Sequence, residues 1–140
     1  MAAYNKFNLF VEHLATGVHN FTSAGTGAVT VALCAAASAP VATNSVLANL
    51  TQIAYTNLSS RAVTGIGVSN SSGTETFTAT DLVLTASGAV ATFRYVVLYN
   101  DTPTSPADPL ICWFDHGSDV TLANLETYTL DFTAGFATLA

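Results

Sequence analysis

The one stretch whose residue types could do chemistry together is Asp115-His116-Gly117-Ser118-Asp119. An acid, an imidazole and a hydroxyl are the groups of a hydrolase triad, in which the hydroxyl attacks, the imidazole takes its proton and the acid orients the imidazole. Triad members converge from separate elements, however, and the sharp G-x-S-x-G elbow that exposes such a nucleophile is missing. As a Ca²⁺ loop the stretch lacks the full alternating Asp/Asn frame. A turn at the end of a hairpin is the expectation for these residues. His13 and His19 flank the end of a short helical pattern and bring no further ligands at metal spacing. No catalytic, cofactor-binding or metal-binding residue is assigned, and the chain is not expected to be an enzyme.

The elements around that stretch are clearer than the stretch itself. Residues 89–122 hold the single Trp and three of the four Pro. From Val90 to Tyr99 the run is β-branched, aromatic or aliphatic apart from Ala91 and Arg94, which predicts a central strand covered on both faces. Arg94 must reach solvent or meet a carboxylate, since an unpaired buried charge is costly; Asp115 and Asp131 are the candidate partners. Leu110 to Phe114 predicts a second strand returning antiparallel to the first. Between them lies Asn100-Asp101-Thr102-Pro103-Thr104-Ser105-Pro106-Ala107-Asp108-Pro109. Proline removes backbone donors and holds the preceding residue extended, so this connection is expected to be stiff and exposed. A stiff loop loses little entropy on meeting a partner, and Thr102, Pro103, Pro106 and Pro109 are its candidate contact residues.

Elsewhere, Phe7, Phe10, Val11 and Leu14 lie at helical spacing with Gly17 beyond, predicting one amphipathic helix over residues 3–16. Its phenylalanines either lid the domain's own core or dock on a neighbour, and Phe7 and Phe10 join the candidate contacts on the second reading. Ala28 to Cys34 reads as a strand, residues 35–44 as a loop around Pro40, and Leu47 to Tyr55 as a short helix or irregular segment. Arg61 to Ser69 reads as a strand with a bulge or a close backbone approach at its glycines. Ser69-Asn70-Ser71-Ser72-Gly73 is the strongest turn signal, with strands over Glu75 to Thr80 and Asp81 to Thr85 after it. Tyr128, Leu130 and Phe132 alternate with Thr127, Thr129, Asp131 and Thr133, which predicts a strand with one buried face, and Phe136 to Leu139 adds a last edge strand.

Seven to eight short strands and one short N-terminal helix in 140 residues predict a single all-β domain over residues 1–140, an antiparallel β-sandwich or jelly roll. Charged residues are only 9% of the chain and mean hydropathy is +0.44, so the surface must be Thr, Ser, Asn and Ala, a composition that favours association. Eighteen consecutive apolar residues are needed for a membrane span and no such run exists. Residues 1–17 also lack the apolar core of a secretory signal, which leaves the five Asn-x-Ser/Thr sequons as expected chance matches. With a net charge of −6 and only Lys6, Arg61 and Arg94 as cations, no basic patch for nucleic acid can form. Cys34 and Cys112 are expected to be free buried thiols, because a bridge needs neighbouring strands in close approach.

In Tyr4-Asn5-Lys6-Phe7-Asn8, Glu12-His13-Leu14-Ala15, Gly17-Val18-His19, Phe93 to Thr102 and Pro109-Leu110-Ile111 the chain resembles a family of small virion structural proteins of tailed bacteriophages. The likeness covers both ends and the central hairpin, and residues 35–88 are less distinctive. Members carry a Gly near Cys112 and an aromatic near His116, so those two residues depart from the family pattern. The resemblance implies a structural virion component with no enzymatic role, and low charge, small size and the lack of a fibre-like repeat favour a capsid decoration or cement protein, made in the host cytoplasm and carried on the capsid surface of the virion. Its implied partners are the major capsid protein and two further copies of itself, as a homotrimer, with no cofactor, nucleic acid or membrane. The alternative it leaves is a tail or fibre module that binds a host surface ligand such as carbohydrate.

Overall fold

The computed structural model describes residues 4–21 and 29–140, and over these the chain is an antiparallel, sandwich-like all-β fold with one short helix. Ten strands run in chain order: β1 Tyr4–Lys6, β2 Val29–Cys34, β3 Ala62–Val63, β4 Gly67–Ser71, β5 Thr74–Thr78, β6 Leu82–Thr85, β7 Phe93–Asn100, β8 Leu110–Val120, β9 Thr127–Leu130 and β10 Ala137–Leu139. The helix, α1, is Phe10–Ala15, and short 3-10 turns occupy Ala36–Ser38 and Leu47–Asn49. One extra strand comes from a break within a predicted run, and another, β1, is taken from the predicted helix. Arg61 to Ser69 divides into β3 and β4 at Gly65, whose φ is +64 and whose absent Cβ lets Thr80 approach.

The strands form three sheets, ordered β1-β8-β7-β2-β3, β10-β5-β4 and β6-β9. β7 is the middle strand of the largest sheet, as its unbroken apolar run requires. Val31, Leu33, Val96, Leu98 and Phe114 on one face pack into the main core with Phe77, Leu84, Leu130 and Phe136 from the smaller sheets. Ala32, Cys34, Val97 and Tyr99 on the other face are covered by Phe7, Leu47, Leu50 and Trp113. Cys34 and Cys112 are free and buried on β2 and β8, with β7 between them. Two strand spacings, about 10 Å, exceed the reach of a disulfide.

The N-terminal helix is shorter than the periodicity predicts. Residues 4–6 instead pair with β8, Tyr4 opposite Phe114 and Lys6 opposite Cys112, because β8 would otherwise present an unpaired edge there. Residue 3, the predicted start, lies outside the described residues, as does residue 28, the predicted start of β2. At the strongest turn signal, Ser72 and Gly73 have φ of +51 and +86, the two left-handed positions of a two-residue hairpin between β4 and β5. β10 pairs with β5 at the edge of its sheet, where an edge strand was expected.

Candidate functional site

The stretch Asp115 to Asp119 is not a turn. It lies inside β8, where Tyr95 faces Asp115 but Phe93 faces Val120, so His116, Gly117, Ser118 and Asp119 are extruded as a bulge. Gly117, at φ +88, supplies the left-handed residue that the bulge needs. Polar residues therefore sit in a strand because they face solvent; all four are exposed. The Asp115 carboxylate accepts from Arg94 Nε at 2.8 Å and Nη2 at 2.9 Å, and from the Gly117 N–H at 2.8 Å. These donors hold its carboxyl down at about 2, the Arg94 hydrogen bonds first and the Gly117 N–H next. Arg94 thus finds Asp115 rather than Asp131. His116 turns away from this acid, with Nδ1 3.2 Å from the Tyr128 hydroxyl. Acid and imidazole are in hydrogen bonds that do not join them into a relay.

The candidate contact residues separate into buried and exposed sets. Phe7 and Phe10 are fully buried, Phe7 with its ring 4.5 Å from that of Trp113 and Phe10 against Phe77. They close the domain's own core, so the docking reading of these two residues is corrected: exposing either would cost about 2–3 kcal/mol of apolar burial. Pro109 is also buried, bridging Val46 at the entry to β8, and is not a contact residue. Thr102 is exposed and Pro103 and Pro106 half-buried, so the surface of the loop is residues 102–107. The loop is held at both ends. Asn100 Oδ1 accepts from the Thr102 N–H at 3.1 Å, and the Asp108 carbonyl accepts from the Leu47 N–H at 2.9 Å.

Leu125 is a surface feature that the sequence reading missed. It is 78% exposed, the most exposed large apolar side chain described, and it has φ +69. A left-handed backbone costs a leucine roughly 1–2 kcal/mol. That conformation is held by the Leu125 N–H donating to the Ala86 carbonyl at 2.8 Å and by the Ala123 N–H donating to Glu126 Oε2 at 2.7 Å. No periodicity marks it, because it lies between two strands and belongs to neither face. It sits at the far end of β8 from the proline loop: the loop feeds Leu110 and the Leu125 turn follows Val120. Leu110 lies opposite Tyr99 and Val120 opposite Phe93, six residues apart on β7, so at about 3.3 Å per residue the two are roughly 20 Å apart.

His13 and His19 are buried side by side, with ring centres 5.6 Å apart, between Phe10 and Phe21. Asn100 Oδ1 is committed to Thr102, so the Asn100 amide NH₂ donates to His19 Nδ1 at 3.3 Å and the His19 proton resides on Nε2. Burial, and then the neighbouring His13, push the His19 imidazole down to about 4. Among the described residues no cluster of three or more metal-ligating side chains exists.

Compared with models of protein families, with curated proteins and with solved structures, the chain matches none of them.

Proposed function

We propose that this chain is a virion structural protein of a tailed bacteriophage, a capsid decoration or cement protein that ties neighbouring copies of the major capsid protein together. The observation that carries the reading is the placement of two exposed, conformationally held features, the loop at residues 102–107 and Leu125, at opposite ends of β8. A protein that bridges neighbours needs contact points separated by its own length. These are fixed before contact, so little ordering entropy opposes binding. Five strands with both faces covered make a stiff strut between them. The low charge of the chain fits repeated packing against protein and against two further copies in a trimer.

The test is attachment to particles that lack the protein. Two variants are used: residues 102–107 replaced by a Gly/Ser linker, and Leu125→Asn, which removes the apolar knob and places at that φ a residue that tolerates it. Both are expected to stay folded by circular dichroism, Leu125→Asn with equal or higher stability, and both to bind the particle less. Complete particles are expected to withstand more heat and osmotic stress than particles lacking the protein. Normal attachment of both variants would refute the contact surface. Unchanged particle stability with lost host adsorption would replace the shell reading by the tail or fibre reading, in which the chain binds a host surface ligand.

A further inference from the structure

A recess of about 500 Å³ opens between the largest sheet and β9. Its floor is apolar, made by Val96, Phe114, Leu130 and Phe132. Its rim is polar, made by His116, Tyr128, Thr129 and Asp131. Among the described residues β9 pairs only with β6, which leaves its other edge without a strand. The direction of the backbone groups follows from two bonds. Ala86 N–H donates to the Glu126 carbonyl, and Phe132 N–H donates to Asp81 Oδ1 just before β6. Residues 126 and 132 therefore point toward β6, and by strand alternation the N–H and C=O groups of Thr127 and Thr129 point away from it. This free edge borders the recess directly.

We propose that the β9 edge and the recess beneath it take an extended peptide segment of a neighbouring shell protein as an added strand, one in which a large apolar residue is followed by Lys or Arg. Strand addition draws affinity from the main chain and specificity from pockets that receive alternate side chains. A strand laid beside β9 sends every second side chain inward, on the side of Leu130, into the recess. The residues between point outward beside Thr129 and Asp131. Asp131 is exposed, and hydrogen bonds from Thr133 hold its carboxyl below the ordinary carboxylate range, so the outward position faces an anion. No Lys or Arg lines the recess, and Arg94 is committed to Asp115. A basic partner residue is thereby favoured and an acidic one opposed.

A second copy of this chain fits poorly. Of its three cations, Arg94 is paired, Arg61 lies 3.6 Å over the Tyr55 ring, and the apolar neighbour of Lys6 is the buried Phe7. The shell as the source of the segment rests on the function proposed above, whereas the site can be tested without it.

The probe is a capped octapeptide of alternating leucine and lysine, titrated into the full chain by calorimetry, with a leucine/glutamate peptide as control. Binding of the basic peptide alone is expected, weakened at least tenfold by Thr129→Pro and about fivefold by Asp131→Lys. Thr129→Pro removes an N–H that no ladder bond uses, so circular dichroism and the urea midpoint are expected to stay near those of the parent. Equal binding of both peptides, or an unaffected Thr129→Pro variant that remains folded, would overturn the site. Self-association of the parent that Thr129→Pro abolishes would assign the edge to a second copy and overturn the proposed occupant. If the peptide results hold but Thr129→Pro attaches normally to particles, the shell origin of the segment is refuted.

Discussion

The buried His19 makes the stability of this chain depend on pH in a window where carboxylates contribute little. His19 is 4% exposed and its imidazole is held down at about 4, while in the unfolded chain it titrates near the usual value of about 6.5. Between these values the unfolded state binds a proton that the folded state does not, so stability falls as pH falls from about 6.5 toward about 4 and levels off below. A difference of about two and a half pH units corresponds to roughly 3 kcal/mol, with a slope near 1 kcal/mol per unit around pH 5. Asp115, held at about 2, loses its contribution only at lower pH, from the ordinary carboxylate value downward. The assay is urea unfolding at pH 7, 6, 5 and 4.5, followed by the fluorescence of the single Trp113, whose ring lies 4.5 Å from that of Phe7 in the folded state. The control is His19→Phe, which keeps a ring beside Phe21 and removes the titration. Phe at this position also strands the Asn100 amide, but that cost is independent of pH and changes the intercept rather than the slope. The parent is expected to lose its midpoint steadily below pH 6.5, and the variant to do so far less. Equal slopes in the two proteins would refute the assignment to His19.

Gly135→Ala is expected to cost about 1–3 kcal/mol in urea unfolding, because Gly135 has φ +88 and a Cβ there would lie 2.8 Å from the Phe77 carbonyl oxygen, which accepts the Phe136 N–H. Leu98→Ala, in the fully buried centre of β7, is expected to cost about 2–5 kcal/mol, read from the same midpoint with an unchanged denaturant slope. Replacing residues 102–107 by a Gly/Ser linker of equal length is expected to cost about 1–2 kcal/mol, since Thr102, Thr104, Ser105 and Ala107 are exposed whereas Pro103 and Pro106 are half-buried and restrict the unfolded chain.

Much of this architecture is set by local sequence. The apolar run of β7 had to be central because a strand apolar on both faces can be satisfied only by cover on both. The alternation at Tyr128, Leu130 and Phe132 placed those three inward and Thr127, Thr129 and Asp131 outward, as the burial of β9 reproduces. Turn chemistry located the β4–β5 hairpin, since Ser-Gly supplies its two left-handed residues. Arg94 announced a partner, but two carboxylates qualified; only the β7–β8 register, which sets Tyr95 opposite Asp115, chose between them.

What the sequence left open depended on contacts between residues distant along the chain. Phe7 and Phe10 read equally well as a lid on the core and as an outward anchor, because periodicity reports which residues share a face and not what the face meets. Pairing of residues 4–6 with β8 took those residues from the predicted helix, a choice made by an edge more than a hundred residues away. The bulge at His116 to Asp119 carries the composition of a turn, and nothing local distinguishes a chain that reverses there from one that is extruded and continues; the continuing β7 partner at Phe93 decides it. The recess beside β9 has no motif at all. Its floor joins residues from β7, β8 and β9 with Phe132 just beyond, and it opens where, among the described residues, no strand pairs with the second edge of β9, a juxtaposition that only the packing of separate sheets creates.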